Sequence, residues 1–171
     1  MDTLPMLSNM DSPVAHPDHD HQACIDAALG AARELCKEKQ QKLTKTREKV
    51  LRLIWDSHRP VGAYTIMDGL AEGEQKRIAP PTVYRALDFL LELGLIHRIN
   101  SLNAYIGCQD PSHEHHCYFL ICTSCNLAIE VDPESFQAPV GKLQERSGFD
   151  IRQQNMELSG LCQHCREAGS D

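Results

Sequence analysis

Ala79-Pro80-Pro81-Thr82-Val83-Tyr84-Arg85-Ala86-Leu87-Asp88-Phe89-Leu90-Leu91-Glu92-Leu93-Gly94 reads as one helix with both ends marked. Pro80 and Pro81 suit a first turn, where a missing N–H costs nothing, and Gly94 suits the left-handed residue that closes a helix. Val83, Ala86, Leu87 and Leu90 recur at i, i+3, i+4 and i+7 and form an apolar stripe, leaving Tyr84, Arg85, Asp88 and Glu92 on the opposite side. On that polar side the cation is near the N-terminus and the carboxylates lie beyond it, so a phosphate backbone is tolerated only along the first two turns. This is the layout of a recognition helix entering the major groove by its N-terminal end. In isolation it would also suit an ordinary amphipathic surface helix. Its neighbours decide the matter.

From Ala23 to about Gln40, Ile25, Ala28, Leu29, Ala32, Leu35 and Cys36 make a helical stripe, with Cys24 and Cys36 expected as small core residues. A second helix opens at Thr44 or Thr46 as N-cap and turns Val50, Leu51, Ile54 and Trp55 inward. A third is expected over roughly 62–72, closed by Gly73. After Gly94, the segments 95–99 and 104–108 flank the polar turn Asn100-Ser101-Leu102-Asn103 and read as an antiparallel hairpin. Three helices, the proline-marked helix and a hairpin make a winged helix-turn-helix, with the hairpin as wing. Arg85 is placed to read a base and Lys45 can reach only phosphate. Thr82 and Arg47 are further candidate DNA contacts.

The charge distribution agrees. The net charge of −7 looks wrong for a DNA-binding chain, but residues 33–100 carry thirteen Lys and Arg against nine Asp and Glu, whereas residues 1–32 hold five acids and no Lys or Arg. Only the middle third has the sign that attracts phosphates. Residues 1–22, with three prolines and the run Asp18-His19-Asp20-His21, are expected to be a disordered acidic and histidine-rich tail. No apolar run approaches the roughly 20 residues of a membrane span, and the acidic N-terminus lacks the pattern of a signal peptide, so a cytoplasmic protein is expected.

Beyond the wing, residues 109–116 form a polar loop. The segments 118–121 and 127–131 read as strands, a helix is expected from Glu134 or Ser135 to Ser147, and Phe149 to Leu158 reads as a third strand. This second half is an α+β unit with a small core. Cys122-Thr-Ser-Cys125 and Cys162-Gln-His-Cys165, with 36 residues between the pairs, are spaced to aim four thiolates at one ion. Four thiolates leave no open position, so that site is expected to be structural. A looser cluster comprises His97 and Cys108 on the hairpin, His113, His115 and His116 in the loop, Cys117, and Glu130 on the following strand. An ion held there would take ligands from both halves and couple its affinity to one domain arrangement.

The motif Leu43-Thr44-x-x-Arg47, the run Pro81-Thr82-Val83-Tyr84-Arg85-Ala86-Leu87, Gly94-Leu95-Ile96-His97, the His-rich loop and both cysteine pairs resemble the ferric uptake regulator family, most closely its zinc-responsive branch. The resemblance spans about residues 24–166. It implies a homodimeric repressor of zinc-uptake genes that binds double-stranded operator DNA, with a winged-helix domain over 23–108 and a dimerisation domain over 109–171. It further implies a structural zinc on Cys122, Cys125, Cys162 and Cys165, a regulatory zinc on His97, Cys108 and Glu130, and DNA contacts from Tyr64, Tyr84 and Arg85. The loop varies in length in the family, so the fourth regulatory ligand is chosen as His115, with His113 or His116 as alternatives. A thiolate, two imidazoles and a carboxylate favour tetrahedral zinc, whereas iron-sensing relatives use more oxygen ligands. The alternatives are an iron- or peroxide-responsive relative, a zinc-stapled interaction module that never meets DNA, and a zinc hydrolase. Four protein ligands leave no position for a catalytic water, so neither an enzyme nor a small-molecule substrate is expected.

Overall fold

The computed structural model describes residues 21–56, 59–72, 79–111, 117–131, 134–151 and 154–169. Most of the expected tail, Gly73 and the histidines at 113, 115 and 116 lie outside the described residues. His21 and Gln22, assigned to the tail on sequence, instead begin α1 (His21–Glu38).

Helix α1 buries Ile25, Leu29, Ala32 and Cys36 at the expected spacing, while Cys24 is only half-buried. Helix α2 (Lys45–Trp55) starts at Thr44, whose Oγ1 accepts from the Arg47 backbone N–H at 3.4 Å. Thr46, the other candidate cap, is therefore inside the helix. Helix α3 (Ala63–Ala71) buries Ile66 and Leu70 against α2 and α4. Helix α4 (Pro80–Glu92) buries Val83, Ala86, Leu87 and Leu90 at 0–3% exposure, and Phe89 as well. Its end is closed by a six-residue loop of backbone bonds. The N–H of Leu95 donates to the Leu90 carbonyl and that of Gly94 to Leu91, both at 2.9 Å, and Gly94 has φ +70°. The apolar side chains of these helices form one core, each large one contributing about 1.5–3 kcal/mol by leaving water.

The wing is built from β2 (Ile96–Ile99) and β3 (Ala104–Gly107), paired antiparallel with His97 opposite Ile106. A two-residue strand β1 (Val61–Gly62), too short to carry a sequence signal, pairs with β3 and completes the order β1-β3-β2. Strand alternation gives the wing two faces. Ile96 and Tyr105 point to the helical core, and Gly107 lies on the same face against the indole of Trp55, so closely that a Cβ at this position would collide with the ring. His97, Ile99 and Ile106 point the other way.

They meet a second sheet of order β5-β4-β6, made of β4 (Cys117–Cys122), β5 (Ala128–Val131) and β6 (Asn155–Gly160). Strand β5 is antiparallel to β4, and β6 is parallel to it after the crossover helix α5 (Glu134–Ser147). Ile99 and Ile106 of the wing pack with Phe119, Ile121 and Ala128 into a second buried cluster, so the wing is the layer between helices and second sheet. The third strand begins at Asn155 and not at Phe149, which is 71% exposed. A short α6 (Gln163–Ala168), absent from the sequence reading, follows the second cysteine pair.

Candidate metal centres and nucleic-acid interface

The parallel pairing of β4 with β6 brings the two C-x-x-C turns together. Cys122 lies opposite Gly160, and the Thr123 N–H donates to the Gly160 carbonyl at 2.8 Å, so both strands end at one level. Cys125 follows in the turn after β4, where Asn126 takes φ +57°, and Cys162 precedes α6. The four sulfurs of Cys122, Cys125, Cys162 and Cys165 all stand within 4.8 Å of one another. Cys125 Sγ and Cys162 Sγ are 3.8 Å apart, which is the edge, about 3.8 Å, of a tetrahedron with Zn–S bonds of about 2.3 Å. The donor set and its spacing therefore fit one zinc ion.

Backbone amides prepare these sulfurs for a cation. The Cys162 N–H donates to Cys122 Sγ at 3.3 Å, and the Cys165 N–H to Cys162 Sγ at 3.5 Å. The amides of Cys162 and Cys125 are the main cause that lowers the Cys122 thiol to about 6. At Cys165 the Ser124 hydroxyl also pulls the thiol down, but neighbouring Cys162 and Cys125 outweigh it and push the thiol up to about 12. Thiolates this close repel one another, and a cation held among them would favour loss of the last proton.

The second centre joins the wing to the second sheet. His97 is the second residue of β2, and Cys108 follows β3, its N–H donating to the Leu95 carbonyl at 3.0 Å, so both fall on the face turned from the helices. Glu130 lies opposite Phe119 on β5. One ligand atom from each of His97, Cys108 and Glu130 falls within a 4.8 Å group, and His97 Nε2 is 3.7 Å from Glu130 Oε1. Cys108 is buried, and the two other side chains are 12% and 17% exposed. The His97 ring is steadied by Phe119, with centroids 5.6 Å apart. Nitrogen, sulfur and oxygen donors converging in a partly dehydrated pocket fit zinc, with one position left for a fourth ligand. His115, the expected fourth ligand, and its alternatives His113 and His116 lie outside the described residues, as does the side chain of Cys117. Phe119 was missed on sequence, since an apolar residue in an apolar strand gives no functional signal.

The DNA-facing candidates lie on the helical domain. Tyr64 is 77% and Tyr84 41% exposed, and Thr82, Arg85 and Lys45 are exposed as well. No side chain caps α4, whose first turn is therefore open at the end where Thr82 and Arg85 stand. Arg47 is different. Its guanidinium carbon lies 3.3 Å from the centroid of the Phe89 ring, and Nη1 donates to the Lys42 carbonyl at 2.5 Å, so its charge is engaged within the domain.

Comparison with known proteins places this architecture. The model of the ferric uptake regulator family matches residues 38–159. The chain belongs to the ferric uptake regulator family. Among members of the family it is 37% identical over 142 residues to the zinc uptake regulation protein of Escherichia coli K12, covering 81% of each chain. A solved structure of a zinc uptake regulator complexed with zinc and DNA matches it with a TM-score of 0.79 at 33% identity, over 90% of this chain and all of that one. The holo form of XcZur matches with a TM-score of 0.74 at 38% identity, over 84% of this chain and 99% of that one. The apo form reaches only 0.50 at 39% identity, over 83% and 97%. With sequence identity nearly equal, the difference lies in shape, and this chain is more similar to the holo form than to the apo form.

Proposed function

We propose that the chain is a zinc-responsive, dimeric transcriptional repressor that binds operator DNA when zinc occupies the His97, Cys108 and Glu130 site, and so controls zinc-uptake genes. The observation that carries this reading is the composition of that site: two donors on the wing and one on the second sheet. A zinc ion bound there would tie the two halves in one arrangement. His97 and Cys108 then fix the wing, the wing fixes the helical core through Ile96 and Tyr105, and the core aims α4 at the groove. Resemblance to the holo relative and to the complex of a zinc uptake regulator with zinc and DNA supports the same arrangement as the DNA-binding one.

The division of labour follows. Residues 23–108 form the DNA-binding domain and residues 109–171 the dimerisation domain, in which the exposed Leu143, Phe149, Leu158 and Leu161 are available to a second copy. Cys122, Cys125, Cys162 and Cys165 hold a structural zinc. Arg85, Thr82 and Tyr84 read the groove, while Tyr64 and Lys45 contact its flanks. The thiolate of Cys108 favours zinc over the iron of the iron- and peroxide-responsive relatives. The protein is not an enzyme, because a site closed by His97, Cys108, Glu130 and a loop histidine holds no reactive water. Action on operator DNA places the protein in the cytoplasm, and no described helix is long and apolar enough to cross a membrane.

The test is zinc content per subunit before and after mild chelation, measured alongside operator binding. Two zinc ions falling to one, with operator binding lost and restored by zinc, is the expected result. Operator binding that persists at one zinc would refute the regulatory reading.

A further inference from the structure

Glu157 lies in the middle of β6 and has no place in either metal centre. Its carboxylate is nevertheless turned to the tip of the wing. Oε1 accepts from the backbone N–H of Asn100 at 2.6 Å and Oε2 from that of Ser101 at 3.0 Å, across 57 and 56 residues of sequence. Two amides of one turn gripped by the two oxygens of one carboxylate are charge-assisted bonds with a defined orientation.

The register explains why this contact and the metal site belong together. Phe119 on the central strand is opposite Glu130 on β5 and opposite Glu157 on β6, so the three side chains form one row on the wing-facing side of the sheet. At one end of the row Glu130 meets His97, in the middle Phe119 meets the His97 ring, and at the other end Glu157 holds the turn that joins β2 to β3. Ile99 and Ile106 fill the space between with Ile121 and Ala128. The row grips the wing at two points. Only one of them involves metal ligands.

We propose that Glu157 is a positioning residue of the regulatory site, holding the wing turn on the second sheet so that His97 and Cys108 already face Glu130 before zinc arrives. This rests on the reading of that site given above. Without the latch, the wing can rock about its apolar contacts, and part of the binding free energy of the ion is lost in bringing three donors together. The latch therefore sets the zinc concentration at which the protein responds, without touching zinc or DNA.

The experiment uses the full-length protein carrying its first zinc, the second having been removed by mild chelation. Hydrogen exchange of the Asn100 and Ser101 amides is followed in the wild type and in Glu157→Ala, and zinc is then titrated back against a chromophoric chelator. The expected result is protected amides in the wild type, fast exchange in the variant, and about tenfold weaker binding of the second zinc, within the usual range of coupling between sites. The first zinc and the dimer should be unchanged. Glu157→Gln keeps the shape and one acceptor oxygen, so it should recover part of the affinity, and it serves as the test should the alanine variant not fold. Equal affinity in wild type and both variants, or unprotected amides in the wild type, would overturn the proposal. A wild type that takes up no second zinc would instead overturn the reading of the site, and the role of Glu157 with it.

Discussion

His97 Nε2 and Glu130 Oε1 stand 3.7 Å apart although one belongs to the wing and the other to the second sheet. Neither strand could bring them together alone. Their separation is a measure of how the two halves of the chain sit, which makes this pair the point where ligand chemistry and domain geometry meet.

Cys108→Ser should leave the fold and the four-cysteine zinc intact and weaken the second zinc by roughly a hundredfold, because a hydroxyl replaces the thiolate in the ligand set. Zinc-dependent operator binding should fall with it. Titration against a chelator checks the first point and a mobility-shift assay the second. Wild-type behaviour in both would remove Cys108 from the site.

Cys122→Ser and Cys162→Ser act on the other centre. Zinc binding at such sites contributes about 10–16 kcal/mol toward folding of small domains, so either change should unfold the second half and abolish dimerisation. Light scattering with metal analysis reads both. A folded, zinc-replete dimer would contradict a structural role for the cluster.

Arg85→Ala should cost about 1–3 kcal/mol at one base position in each half-site, since an arginine at the open end of α4 can make a paired contact to guanine. Lys45→Ala should weaken every sequence similarly and lower the salt slope by about one unit. Titrations against single-base operator variants at several salt concentrations separate the two. Uniform loss for Arg85→Ala would show that α4 does not read bases.

Arg47→Ala should lower the stability of the winged-helix domain by about 1–2 kcal/mol, from loss of the stacking on Phe89 and of the bond to the Lys42 carbonyl. Arg47→Lys should recover little, because an ammonium cannot lie flat on the ring while bonding at its edge. Denaturant unfolding measures this. Unchanged stability with weakened operator binding would mean that the guanidinium leaves Phe89 for phosphate.

What could be read from sequence was what is local. Both ends of α4 follow from Pro80, Pro81 and Gly94, and the wing from two short apolar segments around a polar turn, because each signal fits within a few residues. The two cysteine pairs were legible because the chemistry of zinc fixes the spacing within each pair. The parallel pairing of β6 with β4 was not legible, since alternation within a strand does not name its partner, and the start of β6 was misplaced by the exposed apolar Phe149. Strand β1 is two residues long and exists only because β3 is beside it. Glu157 could not be found for the same reason: a single carboxylate in a strand gains meaning only from the turn that lies across from it. Arg47 is a candidate DNA contact on sequence, and its stacking on Phe89 was not legible there because the ring lies more than forty residues away.

The contact between Trp55 and Gly107 has a practical side. Trp55 is the single tryptophan of the chain, and Gly107 is the residue immediately before Cys108. A shift of the wing strand on binding at Cys108 should reach the indole lying against that glycine. The protein thus carries its own optical gauge: emission excited at the indole band should change with occupancy of the wing site and stay silent to changes confined to the four-cysteine cluster, so that a label-free fluorescence titration can follow one zinc while the other remains in place.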